Sequence, residues 1–154
     1  MNIGMLYYSH TGYTVFLAEK LILTLKEAGH SVSSVLLETL EPLQLQARYA
    51  ALRNLPSVEP YDVLFIGTPV HGGRISAPVL TFLELNPSLY EKKVSFFLTH
   101  FLPCLWGTIQ TIVALEEACN NKGAITQGNA DVTWFSIYRK KQVKSAIDQL
   151  EKLV

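Results

Sequence analysis

The sequence predicts a three-layer α/β/α sandwich built on a five-stranded parallel sheet. Three observations lead there. Short runs at 2–8, 62–68 and 93–99 are apolar on both of their alternating faces, as strands covered from two sides must be. Amphipathic stretches of helical spacing lie between such runs. Hydrophobic residues make up 49% of the 154 positions and charged ones 17%, which suits a buried core in one domain spanning 1–154 and argues against disorder.

Each element has its own signal. Residues 2–8 (Asn2 to Tyr8) read as the first buried strand. Residues 14–28 place Val15, Ala18, Leu21, Ile22 and Leu25 on one helical stripe, and Gly29 supplies the positive-φ residue that ends a helix. A weaker, partly alternating strand is expected at 31–37, then a poor helix at 42–54 with Pro42 near its start. Asp62 to Thr68 is the clearest buried strand after the first. A helix at about 77–86 leads to the strand 93–99. The next helix, 107–121, is expected to turn Ile109, Ile112, Val113 and Cys119 inward and to end at Asn120-Asn121-Lys122-Gly123. A fifth strand is expected at 131–137, and 141–153 closes the chain with Val143, Ala146, Ile147 and Leu150 on one stripe. Right-handed crossovers leave few arrangements of such a chain, and ligands then bind beyond the carboxyl ends of the strands where the strand order reverses.

Three loops should meet in that crevice. They are Ser9 to Thr14, Thr68 to Ser76 and Thr99 to Gly107, and they hold three of the four histidines: His10, His71 and His100. The first loop offers three hydroxyls, one glycine and no lysine or arginine, and runs into a helix N-terminus. Free amides and the helix dipole there favour an anion, and Gly12 lets the backbone curl around a phosphate. On this loop alone, simple capping by Thr11 or Thr14 explains the residues equally well. The second loop brings Pro69, Val70, His71 and the pair Gly72-Gly73, where a flat ring could lie against the backbone under the His71 side chain. The alternative is a glycine turn that merely starts the next helix. The third loop offers the Thr99 and His100 backbones and Phe101, with Trp106 either covering a ring or packing at the edge.

These residues resemble the flavodoxin family. Ser9-His10-Thr11-Gly12-Tyr13-Thr14 matches its Ser/Thr-x-Thr-Gly-x-Thr phosphate loop at every specified position, and Asp62 to Pro69 matches its Asp-x-x-x-x-Gly-Ser/Thr-Pro strand end. The resemblance implies a flavodoxin-like sheet of order 2-1-3-4-5 and an FMN cofactor. Ser9, His10, Thr11, Gly12, Tyr13 and Thr14 would hold its phosphate. Thr68, Pro69, Val70, His71, Gly72 and Gly73, with Thr99, His100 and Phe101, would enclose its isoalloxazine. The chain departs from the family's acidic electron shuttles in its zero net charge and three aspartates. His71 stands where those proteins carry a stacking tryptophan, and the third loop lacks their Gly-Asp and tyrosine pattern.

The expected function is therefore FMN-dependent electron transfer or a small flavin reductase, with a redox partner protein or a nicotinamide cofactor supplying electrons. No base or nucleophile is required, so no catalytic residue is assigned; homo-oligomerisation is open. The alternative is a flavodoxin-like partner-binding or regulatory module with weak flavin binding or none. Thirteen basic and thirteen acidic side chains leave no basic surplus for nucleic acid. No apolar run is long enough for a bilayer and no secretory leader is evident, so no membrane role and a cytoplasmic location are expected. Cys104 and Cys119 match no Cys-x-x-Cys pattern, which suits a reducing compartment without a structural disulfide. Walker and dinucleotide glycine motifs are missing, as are the strand-end carboxylates of a phosphoacceptor domain and the loop cysteine of a Cys-based phosphatase. Metal ligation by the three loop histidines lacks cysteine or carboxylate companions.

Overall fold

The structure is a computed structural model that describes residues 1–86, 88–103 and 105–154. In chain order it contains β1 (Asn2–Tyr7), α1 (Tyr13–Glu27), β2 (Ser31–Leu36), β3 (Val63–His71), β4 (Arg74–Ile75), α2 (Ala77–Leu85), β5 (Lys93–His100), α3 (Leu105–Asn120), β6 (Ile125–Thr133) and α4 (Arg139–Glu151). The main sheet runs β2-β1-β3-β5-β6 with every pairing parallel, and β4 adds a short antiparallel pairing to β3. Counting only the five long strands, this is the expected 2-1-3-4-5 order.

Side-chain alternation along the strands builds two cores. Ile3, Met5 and Tyr7 of β1 and Phe65 of β3 face Leu17, Leu21 and Leu25 of α1 and Leu150 of α4. Their neighbours Leu6, Leu64, Ile66, Phe96 and Leu98 point the other way, onto Phe82 and Leu83 of α2 and Leu115 of α3. Each such leucine or phenylalanine contributes about 1.5–3 kcal/mol by leaving water. Gly67 is required where the two middle strands approach the site. A Cβ there would overlap the Phe97 ring and stand 2.8 Å from the Tyr7 Cβ.

Four expectations change. No helix forms over 42–54. Leu43, Leu45 and Ala47 alternate with polar residues at the strand period, not the helical one. The segment instead closes through an antiparallel bridge, Thr39 to Leu52, with Leu40 N–H donating to Ala51 O at 2.9 Å and Arg53 N–H to Glu38 O at 2.8 Å. The last strand lies at Ile125–Thr133, six residues before the expected start at 131. Its first half is polar because an edge strand needs few inward apolar side chains, here Ala130 and Val132. Residues 134 and 135 leave the strand but stay tethered, Trp134 N–H to His100 O at 2.7 Å and Phe135 N–H to Phe101 O at 2.9 Å.

The third change is in α3, which begins at Leu105 and turns Thr111, Leu115 and Cys119 to the core while Ile109 and Val113 are exposed. Small residues at its start, Gly107 and Thr108, let this face approach the sheet. Finally, the second loop is not a loop throughout. β3 continues to His71, turns through Gly72 (φ 57°) and Gly73 (φ 72°), and returns as β4 with His71 opposite Arg74. Two consecutive positive-φ residues make the tight turn whose twist suits a hairpin. Cys119 is a buried free thiol, and Cys104 lies outside the described residues. Among the described residues no helix is long and apolar enough to cross a membrane.

Candidate functional site

The loops after β1, β3 and β5 converge at the carboxyl ends of the three central strands, as the parallel order requires. Gly12 sits in the left-handed region, φ 88°, at the head of α1. Its N–H donates to Ser9 Oγ at 3.1 Å, and that oxygen also receives the Val15 N–H at 3.4 Å. The first intrahelical bond is Phe16 N–H to Gly12 O, 3.0 Å. Neither Thr11 nor Thr14 caps the helix. The amides of His10, Thr11, Tyr13 and Thr14 consequently have no acceptor among the described residues. Free amides at a helix head form an anion cradle of neutral donors.

Three hydroxyls of the expected site, those of Thr14, Thr99 and Thr68, are already engaged in locking the loops together. Thr14 Oγ1 and Thr99 Oγ1 lie 2.8 Å apart in a buried bond that ties the head of α1 to β5. Thr68 Oγ1 is fully buried, 2.8 Å from both Pro69 O and Ser76 Oγ, and accepts the Ser76 N–H at 3.2 Å. Thr68 therefore fastens β3 to the start of α2, and its side chain is turned away from the crevice.

Between the loops lies a cleft of about 400 Å³. His10, Thr11 and Tyr13 line it from the first loop, Pro69, Val70, His71 and Gly72 from the hairpin, and Thr99, His100 and Phe101 from β5 and its exit. Of the remaining expected residues, Ser9, Gly12, Thr14 and Thr68 do not line it, and Gly73 faces a neighbouring cavity. The size is that of pockets which take flat organic ligands.

The histidines differ in state. His71 meets His10 at 5.7 Å, ring edge to ring face, and Tyr8 at 6.5 Å in the same manner. Nδ1 of His10 lies 3.4 Å from the Tyr8 hydroxyl. Burial, and secondarily the neighbouring His10, push the His71 pKa down to about 4, so its ring is neutral near pH 7. His100 behaves oppositely. Both its ring nitrogens are engaged, Nδ1 donating to Leu102 O at 2.8 Å and Nε2 to Asp131 Oδ2 at 2.7 Å. Burial opposes its charge, but the Asp131 hydrogen bond, the Leu102 carbonyl and the Asp131 charge together outweigh it and raise the pKa. Both ring nitrogens face acceptors, which only the imidazolium satisfies. His100 thus holds the third loop in place, while His71 and His10 face the cleft. Among the described residues no three metal-capable side chains cluster.

Three participants escaped the sequence reading. Leu45 lines the cleft from the segment read as a helix. Asp131 is the partner of His100, and only the β5–β6 register, which sets Leu98 beside Asp131 and His100 beside Thr133, brings it there. Trp134 stacks on Tyr13 at 4.5 Å and 17°, with Phe16 edge-on at 5.4 Å and the Arg139 guanidinium 5.0 Å over its ring. Trp106 stands apart, 78% exposed at the start of α3.

No protein-family model matches the chain. In sequence it is 28% identical over 135 residues to a flavodoxin of Megasphaera elsdenii, spanning 84% of this chain and 85% of that one. The solution structure of two-electron reduced Megasphaera elsdenii flavodoxin superposes with TM-score 0.66 at 24% identity, over 96% of this chain and 98% of that one. Oxidised Flavodoxin 1 of Bacillus cereus does so with TM-score 0.69 at 16% identity, over 99% and 96%. A Lactobacillus acidophilus flavoprotein in complex with FMN gives TM-score 0.62 at 18% identity, over 94% and 97%. The fold is flavodoxin-like.

Proposed function

We propose that this flavodoxin-like chain binds FMN in the three-loop cleft and serves as a redox protein. The observation that carries the reading is the head of α1, where four backbone amides without acceptors among the described residues adjoin a cleft of about 400 Å³. The amides of His10, Thr11, Tyr13 and Thr14 would take the phosphate, the Thr11 hydroxyl adding a fifth donor. Pro69 to Gly72 and Thr99 to Phe101 would enclose the ring system. His71, neutral at pH 7, suits an apolar ring face better than a charged imidazole would. The resemblance to flavodoxins and to an FMN-bound flavoprotein supports the same cofactor.

Bound flavin supplies the electron chemistry, and the protein's part is to hold and tune it. Ser9 keeps the turn closed, the Thr14–Thr99 bond holds the phosphate loop against the ring-binding loop, and the His100–Asp131 pair fixes the outer wall. No carboxylate lines the cleft among the described residues, so its wall would add no negative charge beside a bound flavin. Exposed Phe101, Leu102 and Phe135 at the rim offer an apolar landing place for a redox partner protein.

Titration of the flavin-free protein with FMN, followed by fluorescence quenching, tests the proposal. Saturable one-to-one binding that is lost when riboflavin, which lacks the phosphate, replaces FMN is the expected result. Stepwise reduction of the complex then separates one-electron from two-electron transfer. If FMN does not bind, the cofactor reading fails and a partner-binding module takes its place.

A further inference from the structure

A second cavity, of about 370 Å³, lies beside the flavin cleft and shares His71 and Leu45 with it. Its apolar surface comes from Leu45, Ile75 and Leu80, and its polar groups are Arg48, Arg74 and Gln110. The local fold explains the grouping. The Gly72-Gly73 turn reverses the chain and puts Arg74 opposite His71 on β4. Gly73 packs directly on α3: a Cβ there would stand 3.3 Å from Gly107 Cα and 3.4 Å from Gln110 Oε1. The irregular crossover between β2 and β3 supplies Leu45 and Arg48 from the other side.

Two of the chain's four arginines thus border one cavity that no carboxylate lines among the described residues. Neither guanidinium has an ion-pair or hydrogen-bond partner there, the sole ion pair among the described residues being His100–Asp131. A solvated arginine needs no partner, but two on the rim of an apolar hollow create a positive potential aimed at its contents. A guanidinium matches a carboxylate with two parallel N–H bonds. The apolar lining suits a ligand with an apolar body better than a bare inorganic ion.

We propose that this cavity binds a small apolar molecule carrying a carboxylate, with Arg48 and Arg74 holding the acid group and Leu45, Ile75 and Leu80 the apolar body. His71 is the wall between this cavity and the cleft, so the ligand would lie beside the flavin as a substrate. That last role rests on the FMN reading; binding of the acid does not.

Calorimetric titration with 2-naphthoate, and with the neutral 2-naphthylmethanol as control, tests the proposal on FMN-loaded and flavin-free protein. Naphthoate is expected to bind roughly tenfold more tightly than the alcohol, and Arg48→Gln and Arg74→Gln each to remove most of that preference. Both variants should keep parental FMN affinity and circular dichroism. Equal binding of acid and alcohol, no binding of either, or an acid preference that survives both substitutions overturns it. FMN binding without naphthoate binding sinks this inference alone. Arginine-dependent naphthoate binding by a protein that rejects FMN keeps the acid site and sinks the flavin reading.

Discussion

His100 Nε2 donates to Asp131 Oδ2 across 2.7 Å, joining the exit of β5 to the edge strand β6 at the rim of the cleft. The raised His100 pKa means that the pair contributes its full stability below the ordinary histidine value of 6.5 and loses it as pH rises through the folded-state value. Asp131 is 41% exposed, so solvent screens the interaction. Asp131→Asn is expected to cost about 1 kcal/mol near pH 6 and much less near pH 9, read from urea unfolding at the two pH values. An equal loss at both would show that the ring charge contributes nothing.

The Thr14–Thr99 hydroxyl bond is buried, so removing one member strands the other. Thr14→Val and Thr99→Val are each expected to destabilise by about 1–2 kcal/mol, and the double variant by less than their sum. Denaturant unfolding of the four proteins gives the coupling directly, and strict additivity would contradict it.

The depressed His71 pKa acts in the acid range. The unfolded chain takes up a proton near pH 6.5 while folded His71 waits until about 4, so stability falls as pH drops between those values. Over that window the parent is expected to lose about 1–2 kcal/mol more than His71→Gln, the partly open cleft reducing the full effect. Thermal unfolding across the range checks it; parallel curves would mean that His71 ionises normally.

Gly12 holds φ 88° with open space where a Cβ would stand, so its substitution costs backbone strain and no clash. Gly12→Ala is expected to destabilise by about 1–2 kcal/mol and, on the FMN reading, to weaken FMN binding about tenfold as the amides lose their aim. Unchanged affinity in a folded variant would remove this turn from the phosphate site.

The sheet core was legible because local chemistry is enough to specify it. Asp62 to Thr68 and Lys93 to Thr99 are apolar on both faces whatever their neighbours, and a strand of that kind demands two covering layers. The turn at the head of α1 was legible for the same reason: Gly12 and its hydroxyl neighbours act on amides within a few residues. At 42–54 the local signal was ambiguous, and a bridge between residues thirteen positions apart, Thr39 and Leu52, decided against helix. At 131–137 the most β-prone residues lost to the register that β5 imposes on an edge strand, since the ladder's hydrogen bonds outweigh propensity there.

Sequence alone thus determined the fold class, the parallel order and the three loops that carry His10, His71 and His100. It could not assign those histidines different states, because charge and burial depend on partners distant in the chain. Tertiary structure put Asp131 on His100 and His10 against His71, making one ring a tether whose charged form is favoured and the other a neutral wall. It likewise turned Thr14 and Thr68 inward and set Arg48 and Arg74 on one cavity, since packing, not spacing, decides which groups a folded chain leaves facing a cavity.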